Sequence, residues 1–507
     1  MSPVAMVAPA GGCERGWLMR RAAACLAWLA LLLAAGCASV PGPEALRERR
    51  AQAGLSADSG WDSYQRGHDI AARVGSASKG AKADEASFMA RHLAVEQAIS
   101  GAPLIDGNGV KLLADGPATY KAMLAAIARA ERYVHMETYI FEDDEEGSRF
   151  ADALIAARQR GASVAVMVDA IGTLSTSDAL FARMRDAGVQ VVVFNPVNPV
   201  AARAGWSINQ RNHRKLLVVD GDVGFLGGIN VSSVYSSSSR GSSGASGGSG
   251  PSGGGGGSGR GASRSGADGP QPDASSMPWR DTHIEIRGPA VAELEKVILD
   301  AWAAQKGPPL EGDRFIRIVP RQGNLSVRIL ANDPDDTEDG YAVYLTLMSA
   351  FESAQKSIHI TMAYFVPDPA FIQALAQAAQ RGVEVILVLP GFSDSGLVFH
   401  AGRSHYQDLL EAGVQIYERR DALLHAKTAV VDGVWSTVGS SNMDWRSFAI
   451  NYELNAVILG PAFGAEMEAL FKEDVAAAVR IDLETWRDRA ADDRFKEFFS
   501  RMFERWL

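Results

Sequence analysis

The stretch Asn212-His213-Arg214-Lys215-Leu216-Leu217-Val218-Val219-Asp220 has a counterpart in Leu424-His425-Ala426-Lys427-Thr428-Ala429-Val430-Val431-Asp432. Both contain His, any residue, Lys, any four residues and Asp. A turn ending in Asn follows each at the same distance, Gly227-Gly228-Ile229-Asn230 and Gly439-Ser440-Ser441-Asn442. One copy of such a sparse pattern is a weak motif, but a second copy with the same downstream spacing makes coincidence improbable. The repeat predicts a duplicated structural unit that carries a duplicated phosphoryl-handling site.

Strands alternate with helices from Leu104 onward, and the second half repeats the order of the first. In the first half the hydrophobic periodicity predicts a helix over 120–130, a strand over 133–141, a helix over 147–160 and a strand over 164–168. In the second half it predicts a helix over 341–354, a strand over 358–366, a helix over 369–381 and a strand over 385–389. This alternation predicts an α/β fold whose halves, 101–310 and 311–507, each contain a mixed or mainly parallel sheet covered by helices.

A tract of Ser, Gly and Arg at about 236–273 interrupts the first half. The interval from His213 to Asp281 is 40 residues longer than that from His425 to Glu453, which is close to the length of the tract. We therefore expect a flexible insertion in a surface loop of the first repeat rather than a linker between domains. A mobile lid near the site is the alternative.

The N-terminus has the features of an export signal. Basic residues precede an apolar run at 22–35, and small residues lead to Cys37 in a pattern that resembles a bacterial lipoprotein box. We expect 1–37 to be a lipoprotein-type signal peptide, Cys37 to be the acylated residue, and 38–100 to be a tether. The protein would then be anchored on the periplasmic side of a bacterial envelope membrane, and Ala38 favours the outer membrane. An uncleaved membrane anchor is the alternative.

The composition of the 507 residues is that of a globular protein, with 47% hydrophobic and 22% charged residues. A net charge of −10 is unfavourable when the main ligand is a polyanion, so we expect no nucleic-acid partner. No cysteine follows Cys37, and no His or carboxylate cluster has the spacing of metal ligands. We expect neither a metal nor another cofactor.

The repeated residue types suit phosphodiester chemistry without a metal. In an extended segment, residues i and i+2 lie on the same face, so His213 and Lys215 would share one face, as would His425 and Lys427. Together the two pairs supply a nucleophile, a proton donor and two cations for the phosphoryl oxygens. Asp220 and Asp432 complete the motifs, and their position after a buried run favours a scaffold or charge-balancing role over proton transfer.

Other residues are candidates for supporting roles. Asp281 and Glu453 each precede a Gly-Pro-Ala sequence by seven residues and are the best candidates to orient the histidines. Side chains of the two turns are candidates to donate to phosphate oxygens: Asn230, Asn442, Ser232 and Ser441. Glu137 would either balance charge near the site or lie on a solvated face. The remaining histidines considered are assigned to packing or to the surface: His135, His359, His400 and His405.

The last helix predicted from the sequence is amphipathic. Its apolar residues share one face: Phe495, Phe498, Phe499, Met502, Phe503 and Trp506. Basic residues flank that face: Arg494, Lys496, Arg501 and Arg505. The pattern suits a helix that lies in a membrane interface, although packing against the protein core is the simpler explanation and the favoured one.

These motifs resemble those of the phospholipase D superfamily, and more closely those of bacterial cardiolipin synthases. Further segments carry the resemblance, which runs from about residue 101 to the C-terminus: 112–116, 137–144, 279–283 and 443–447. The resemblance implies two similar α/β halves related by a pseudo-twofold axis, with the site in the cleft between them.

The resemblance also implies a ping-pong reaction through a phosphohistidine. His213 would attack the phosphorus of phosphatidylglycerol, and His425 would protonate the departing glycerol. A second phosphatidylglycerol, activated by His425, would then accept the phosphatidyl group and yield cardiolipin, while Lys215 and Lys427 hold the phosphate. We expect a membrane-surface enzyme that is active as a monomer.

Three alternatives remain at this point. A phospholipase D that uses water as acceptor would have the same residues. A secreted nuclease of the superfamily would more naturally carry one motif per chain and a basic surface. A non-catalytic lipoprotein that binds anionic lipid would be expected to have lost a His or a Lys, yet both sets are intact.

Overall fold

The computed structural model describes residues 101–198, 207–237, 277–310, 315, 319–334 and 341–507. The expected signal peptide, the acylated Cys37, the tether and nearly all of the Ser/Gly tract lie outside the described residues. Within these ranges, none of the helices combines the length and the apolar character needed to cross a membrane.

The first half contains β1 (Ile105–Leu113), α1 (Gly116–Ala128), β2 (Tyr133–Thr138), α2 (Glu145–Gln159), β3 (Ser163–Asp169), α3 (Asp178–Asp186), β4 (Gln190–Phe194), β5 (Leu216–Val219), β6 (Val223–Gly227), β7 (Trp279–Arg280), β8 (His283–Arg287) and α4 (Val291–Ala304). A 3₁₀ turn at Ser233–Tyr235 follows β6.

The second half contains β9 (Leu325–Asn332), α5 (Ala342–Ser353), β10 (Ser357–Met362), β11 (Phe365–Val366), α6 (Pro369–Gln380), β12 (Glu384–Pro390), α7 (Gly396–Arg403), α8 (Tyr406–Glu411), β13 (Gln415–Arg419), β14 (Leu423–Leu424), β15 (Lys427–Val431), β16 (Trp435–Gly439), β17 (Met443–Asp444), α9 (Trp445–Ala449), β18 (Glu453–Leu459), α10 (Pro461–Ala476), β19 (Ala478–Ile481), α11 (Leu483–Arg487) and α12 (Ala491–Arg501). A 3₁₀ turn at Glu504–Trp506 follows α12.

Most of the described strands form one continuous mixed sheet whose two halves repeat the same order. Outward from the centre, the first half runs β1-β8-β6-β5-β2-β3-β4 and the second runs β9-β18-β16-β15-β10-β12-β13, with β19 added at the outer edge. β1 and β9 join the halves as an antiparallel pair. Equal order on both sides of an antiparallel junction is what a twofold axis there produces. The predicted α/β fold of two similar halves is therefore confirmed.

The strand pairing brings the motifs to one edge of the sheet. β2 and β3 are parallel, whereas β5 pairs antiparallel with β2, so the start of β5 lies at the carboxyl end of β2. β10, β12 and β15 repeat this arrangement. The side chains that precede β5 and β15 therefore lie at the carboxyl edge of the parallel strands, where α/β proteins place their sites.

The halves have separate cores and share a third. Buried side chains around α1–α3 fill one half, and those around α5 and α6 fill the other. A third cluster joins the strands of both halves; Val218 and Leu226 of β5 and β6 pack in it with Val430 and Val438 of β15 and β16. Since each of these four side chains is almost fully buried, the halves are held together by a continuous apolar interface.

Most of the predicted elements are confirmed within a few residues, and two departures have clear causes. The first helix begins earlier than predicted because the Asp115 side chain accepts the N–H of Ala118 and Pro117 occupies the first turn. The strands predicted over 133–141 and 358–366 are both too long. β2 ends at Thr138 and β10 at Met362; beyond them Phe141 bridges to Val231, and β11 pairs with β17.

Candidate active site

His213 lies just before β5 and is held by a carboxylate from the other half. Its Nδ1–H donates to Glu453, with Nδ1 at 3.0 and 3.1 Å from the two carboxylate oxygens. Its backbone N–H donates to the carbonyl of Tyr452. The Nζ of Lys215 donates to the His213 carbonyl at 2.6 Å. The imidazole thus presents Nε2, the nitrogen that Glu453 does not bind, for chemistry.

His425 has the mirror arrangement before β15. Its Nδ1–H donates to Asp281 at 2.6 Å, its backbone N–H donates to the Arg280 carbonyl, and Lys427 Nζ donates to the His425 carbonyl. The expectation that Asp281 and Glu453 lie beside the histidines matches this geometry. The sequence did not reveal that the pairs cross between the halves. Asp281 of the first half binds His425 of the second, and Glu453 of the second half binds His213 of the first.

Aromatic side chains wall both imidazoles. The Tyr139 ring lies edge-on to His213 at 5.1 Å between centroids. Against His425 lie Trp279 at 5.1 Å, Tyr235 at 6.1 Å and Tyr364 at 6.5 Å. The Tyr235 hydroxyl is 3.3 Å from His425 Nδ1. These rings limit the access of water to the imidazoles and thereby strengthen the charge interactions there.

Burial and neighbouring cations keep both imidazoles neutral in the free protein. Burial, and then Lys215, lowers the pKa of His213 to about 4 despite the opposing effect of Glu453. Burial also lowers the pKa of His425, and the charges of Lys427, Lys215 and His213 lower it further. Since charges on the first half's motif act on His425, the two motifs share one electrostatic environment.

Burial also lowers the pKa values of the two motif lysines. Burial lowers the pKa of Lys427 to about 8, against the opposing effect of Asp281. Burial also places the pKa of Lys215 well below its ordinary value. Because the charge of Lys427 also lowers the pKa of Lys215, an anion between the two ammonium groups is favoured, and a phosphodiester supplies one.

The two carboxylates differ in their electrostatics. Burial raises the pKa of Asp281 to about 6, although Lys427 opposes it. Burial also acts on Glu453, but the His213 and Lys215 charges outweigh it and hold the pKa of Glu453 below its ordinary value. Glu453 is therefore ionised throughout the neutral range, and Asp281 titrates just below it.

Asp220 and Asp432 hold the scaffold rather than the site. The Asp220 carboxylate accepts the backbone N–H groups of residues 131–133, and Asp432 accepts those of 355–357. Both have positive φ, 56° and 54°, in the turn that ends β5 and β15. A short acidic side chain tolerates this conformation and ties each turn to the start of the neighbouring strand. These contacts fit the scaffold role favoured for Asp220 and Asp432, and they correct any grouping of the two with the catalytic histidines and lysines.

The side chains expected to donate to phosphate have partners within the protein. Asn230 Nδ2 donates to the Tyr235 hydroxyl at 3.2 Å, and its Oδ1 accepts the N–H of Ile140. Ser232 Oγ donates to Glu142 at 2.5 Å, and Ser441 Oγ donates to the Asn442 carbonyl at 3.2 Å. Asn442 Oδ1 is buried without a partner among the described residues. The direct phosphate role predicted for Asn230, Ser232 and Ser441 therefore finds no support in this arrangement.

Sequence reasoning missed several neighbours of the histidines. Ser440 Oγ donates to Glu453 at 2.5 Å, and Tyr235 and Tyr139 reach the imidazoles from loops far apart in sequence. Ser440 was visible in the sequence as the residue that replaces the second glycine of the first turn. The tyrosines had no local signal. Glu137 is fully buried beside Asn212, and burial raises its pKa to about 7, so it does not lie on a solvated face.

The other histidines are bound in packing contacts. His135 pairs with buried Glu295, and His359 stacks on Phe471. Among the described residues, no three His, Cys or acidic side chains form a metal-binding group.

The fold and the site define a class of protein in which two α/β halves each bring a His-x-Lys pair to one shared, buried site. The family model described as "Cardiolipin synthase, PLD-like domain" matches residues 123–239 and 347–475. A cardiolipin synthase from Alkalihalophilus pseudofirmus is 32% identical over 404 residues, which cover 79% of this chain and 72% of that protein. Cardiolipin synthase 1 from Bacillus cereus is 31% identical, over 80% of this chain and 74% of the relative.

The chain belongs to the phospholipase D superfamily and, within it, to the cardiolipin synthase family. A solved structure supports the fold. Phosphatidylserine synthase from Haemophilus influenzae Rd KW20 superposes with a TM-score of 0.59 at 14% identity, covering 82% of this chain and 97% of the other. Its cardiolipin synthase relatives indicate that the protein is a phospholipase D-type phosphatidyltransferase of phospholipid metabolism.

Proposed function

We propose that this protein transfers the phosphatidyl group of one phosphatidylglycerol to a second, releasing glycerol and forming cardiolipin. The observation that carries the proposal is the crossed pair of imidazole–carboxylate contacts, each fixing Nδ1 and leaving Nε2 for one phosphorus. The family supports a phosphatidyl transfer, since its curated relatives are named cardiolipin synthases.

In the first step, His213 Nε2 attacks phosphorus and the bond from phosphorus to the headgroup oxygen breaks. His213 suits this role because its low pKa keeps the lone pair free and ionised Glu453 balances the imidazolium that forms. His425 donates the proton that the departing glycerol needs. The phosphodiester anion between Lys215 and Lys427 raises the proton affinity of His425 once the substrate is bound.

In the second step, His425 removes the proton from a headgroup hydroxyl of the second phosphatidylglycerol. That oxygen attacks phosphorus, the bond from His213 to phosphorus breaks, and cardiolipin leaves. The same cations hold the phosphoryl oxygens in both steps. Water in place of the second lipid would give phosphatidic acid.

The test is to incubate purified protein with phosphatidylglycerol vesicles and identify the products by mass spectrometry. Equal amounts of cardiolipin and glycerol support the proposal, whereas phosphatidic acid alone would identify a hydrolase. Rapid quenching in alkali should show lipid-derived phosphate bound to the wild type and not to His213→Ala, because phosphohistidine is stable in base and labile in acid.

We also propose that the chain is exported, carries lipid on Cys37 and acts as a monomer on the periplasmic side of the envelope. The signal-like N-terminus supports the first part, and the presence of both motifs in one chain supports the last. Intact mass of the mature N-terminus, with Cys37→Ser as control, tests the anchor. Light scattering of the active protein in detergent tests the monomer.

A further inference from the structure

The apolar face of α12 points outward. Phe495 and Phe498 are 67% and 66% exposed, and Phe499 and Met502 are 46% and 56% exposed. Glu497 on the opposite face is buried and ion-paired with Arg489. A surface helix of a soluble protein normally has the reverse orientation. Core packing, one of the two interpretations of this helix, is therefore wrong for these four side chains.

α12 lies beside the second half of the site. It packs along α7, which begins just after Asp394. The Asp394 carboxylate accepts the Tyr364 hydroxyl at 2.7 Å, and the Tyr364 ring lies edge-on to His425. Leu397 in the first turn of α7 is also exposed. The outward apolar face thus continues onto the segment that supports the wall of the site.

The first half contributes exposed apolar side chains at the same edge of the sheet. Ile171 and Leu174 follow β3, and the backbone at Gly172 packs so tightly on Tyr139 that a Cβ there would lie 2.0 Å from the Tyr139 carbonyl oxygen. Tyr139 in turn contacts His213. Ile208, next to the Asn209 that binds Arg446 of α9, is exposed as well.

We propose that these exposed side chains form a docking surface that enters an anionic phospholipid bilayer and sets the site at the depth of the headgroups. We call it the apolar rim; it consists of Ile171, Leu174, Ile208, Leu397, Phe495, Phe498, Phe499 and Met502. Phenylalanine and methionine with exposed Arg494 and Arg501 beside them suit the boundary between acyl chains and anionic headgroups. The inference rests on the proposed function only in that the substrate is a bilayer phospholipid.

The bilayer explains the position of the rim better than a second protein copy does. Parts of the rim adjoin segments that contact Tyr139 and Tyr364, the rings beside the two histidines, so a protein partner there would hinder access to the site. A bilayer brings the phosphate to the site without the lipid leaving the membrane completely. Apolar exposure that is costly in water becomes favourable there, at about 25 cal/mol per Å² buried.

The first experiment measures docking without catalysis. Hydrogen exchange of full-length His213→Ala is followed with and without vesicles of phosphatidylglycerol and phosphatidylcholine at 3:7. Peptides that cover α12 and residues 171–174 should exchange at least about fivefold more slowly with vesicles, and peptides that cover Val479 on the outermost strand should not change. Unchanged exchange in α12 overturns the proposal. So does protection that also occurs without vesicles and rises with protein concentration, because that identifies self-association.

The second experiment links docking to turnover. The ratio of activity on vesicles to activity on monomeric dihexanoyl phosphatidylglycerol should fall about tenfold in Phe495→Ser/Phe498→Ser. The ratio should stay at the wild-type value in Phe495→Leu/Phe498→Leu. It should also stay there in Val479→Ser, a control at a side chain that is 48% exposed in the wild type. Equal loss on both substrates would show a structural role and overturn the rim. If the wild type turns over neither lipid, the proposed function fails, while the exchange experiment still decides on docking.

Discussion

The two halves of the site differ most in the carboxylate that holds each imidazole. Glu453, beside His213, also accepts a hydrogen bond from Ser440 and keeps a pKa below its ordinary value. Asp281, beside His425, is one methylene shorter, and burial raises its pKa to about 6. One pair is therefore fixed in an ionised state, whereas the other lies close to its titration point.

Equivalent positions in the two halves show which residues produce this difference. Gly228 occupies the position that Ser440 has in the other half, and a Cβ at Gly228 would lie 2.2 Å from Asp281 Oδ1. The first half thus makes room for a shorter carboxylate, and the second half adds a donor for a longer one. A nucleophile needs a permanent counter-charge while it is phosphorylated, whereas a proton carrier must change its charge twice per turnover. The comparison favours His213 as nucleophile and His425 as acid and base.

The comparison is tested most strongly by removing each imidazole. His213→Ala should lower the transfer rate by about 10⁴-fold or more with every substrate, because the phosphorus has no other acceptor. His425→Ala should be almost as impaired with phosphatidylglycerol, but its first turnover should recover at least about 10²-fold with the p-nitrophenyl ester of phosphatidic acid, whose leaving group needs no proton. The rate of the first-turnover burst of p-nitrophenol provides the measurement, because later turnovers still need His425 as the base. Recovery of His213→Ala instead would reverse the roles assigned to the halves.

Replacing each carboxylate with the corresponding neutral amide should lower kcat/KM unequally in the two halves, by smaller factors than removing an imidazole. Glu453→Gln should lose about 10²-fold in kcat/KM and Asp281→Asn about 10-fold, since an amide cannot balance the imidazolium on His213. Circular dichroism checks that both variants fold. The reverse ranking would show that counter-charge matters more at His425.

The sequence was sufficient to predict the paired motifs and the carboxylates, because both are repeated at equal spacing. It was not sufficient for the crossing of the pairs, since Asp281 and His425 are 144 residues apart and only the sheet order brings them together. The orientation of α12 had a similar limit. Its amphipathic pattern was clear, but a periodic pattern does not state which face is covered.

The turns show the other limit of sequence reasoning. Asn230 and Ser232 follow a motif of phosphate chemistry, yet their side chains bind Tyr235 and Glu142. Short polar residues satisfy backbone and neighbouring groups in turns as readily as they bind ligands. The carboxylates of Asp220 and Asp432 likewise accept backbone N–H groups. Their position at the end of a strand was the sequence feature that predicted this scaffold role.

The pH dependence tests which pair limits activity. Lys427 must be protonated to hold phosphate, so kcat/KM should fall as pH rises through about 8. Asp281 must be ionised to accept the Nδ1–H of His425, so kcat/KM should also fall, by about tenfold per pH unit, as pH drops through about 6. In Asp281→Asn the acid limb should move down toward the pKa of His213, about 4. An acid limb that stays near 6 in this variant would assign it to another group.

The smallest expected effect concerns the hydrogen bond that only one half has. Ser440→Ala removes the donor to Glu453, so kcat/KM should fall about fivefold, the value of one hydrogen bond of about 1 kcal/mol. Ser441→Ala is the matched control, because its hydroxyl donates to the Asn442 carbonyl instead, and its loss should stay below about twofold. Equal losses would mean that the turn as a whole matters. A loss confined to Ser440 would show that this donor, absent where Gly228 stands, contributes to the unequal roles of the two imidazoles.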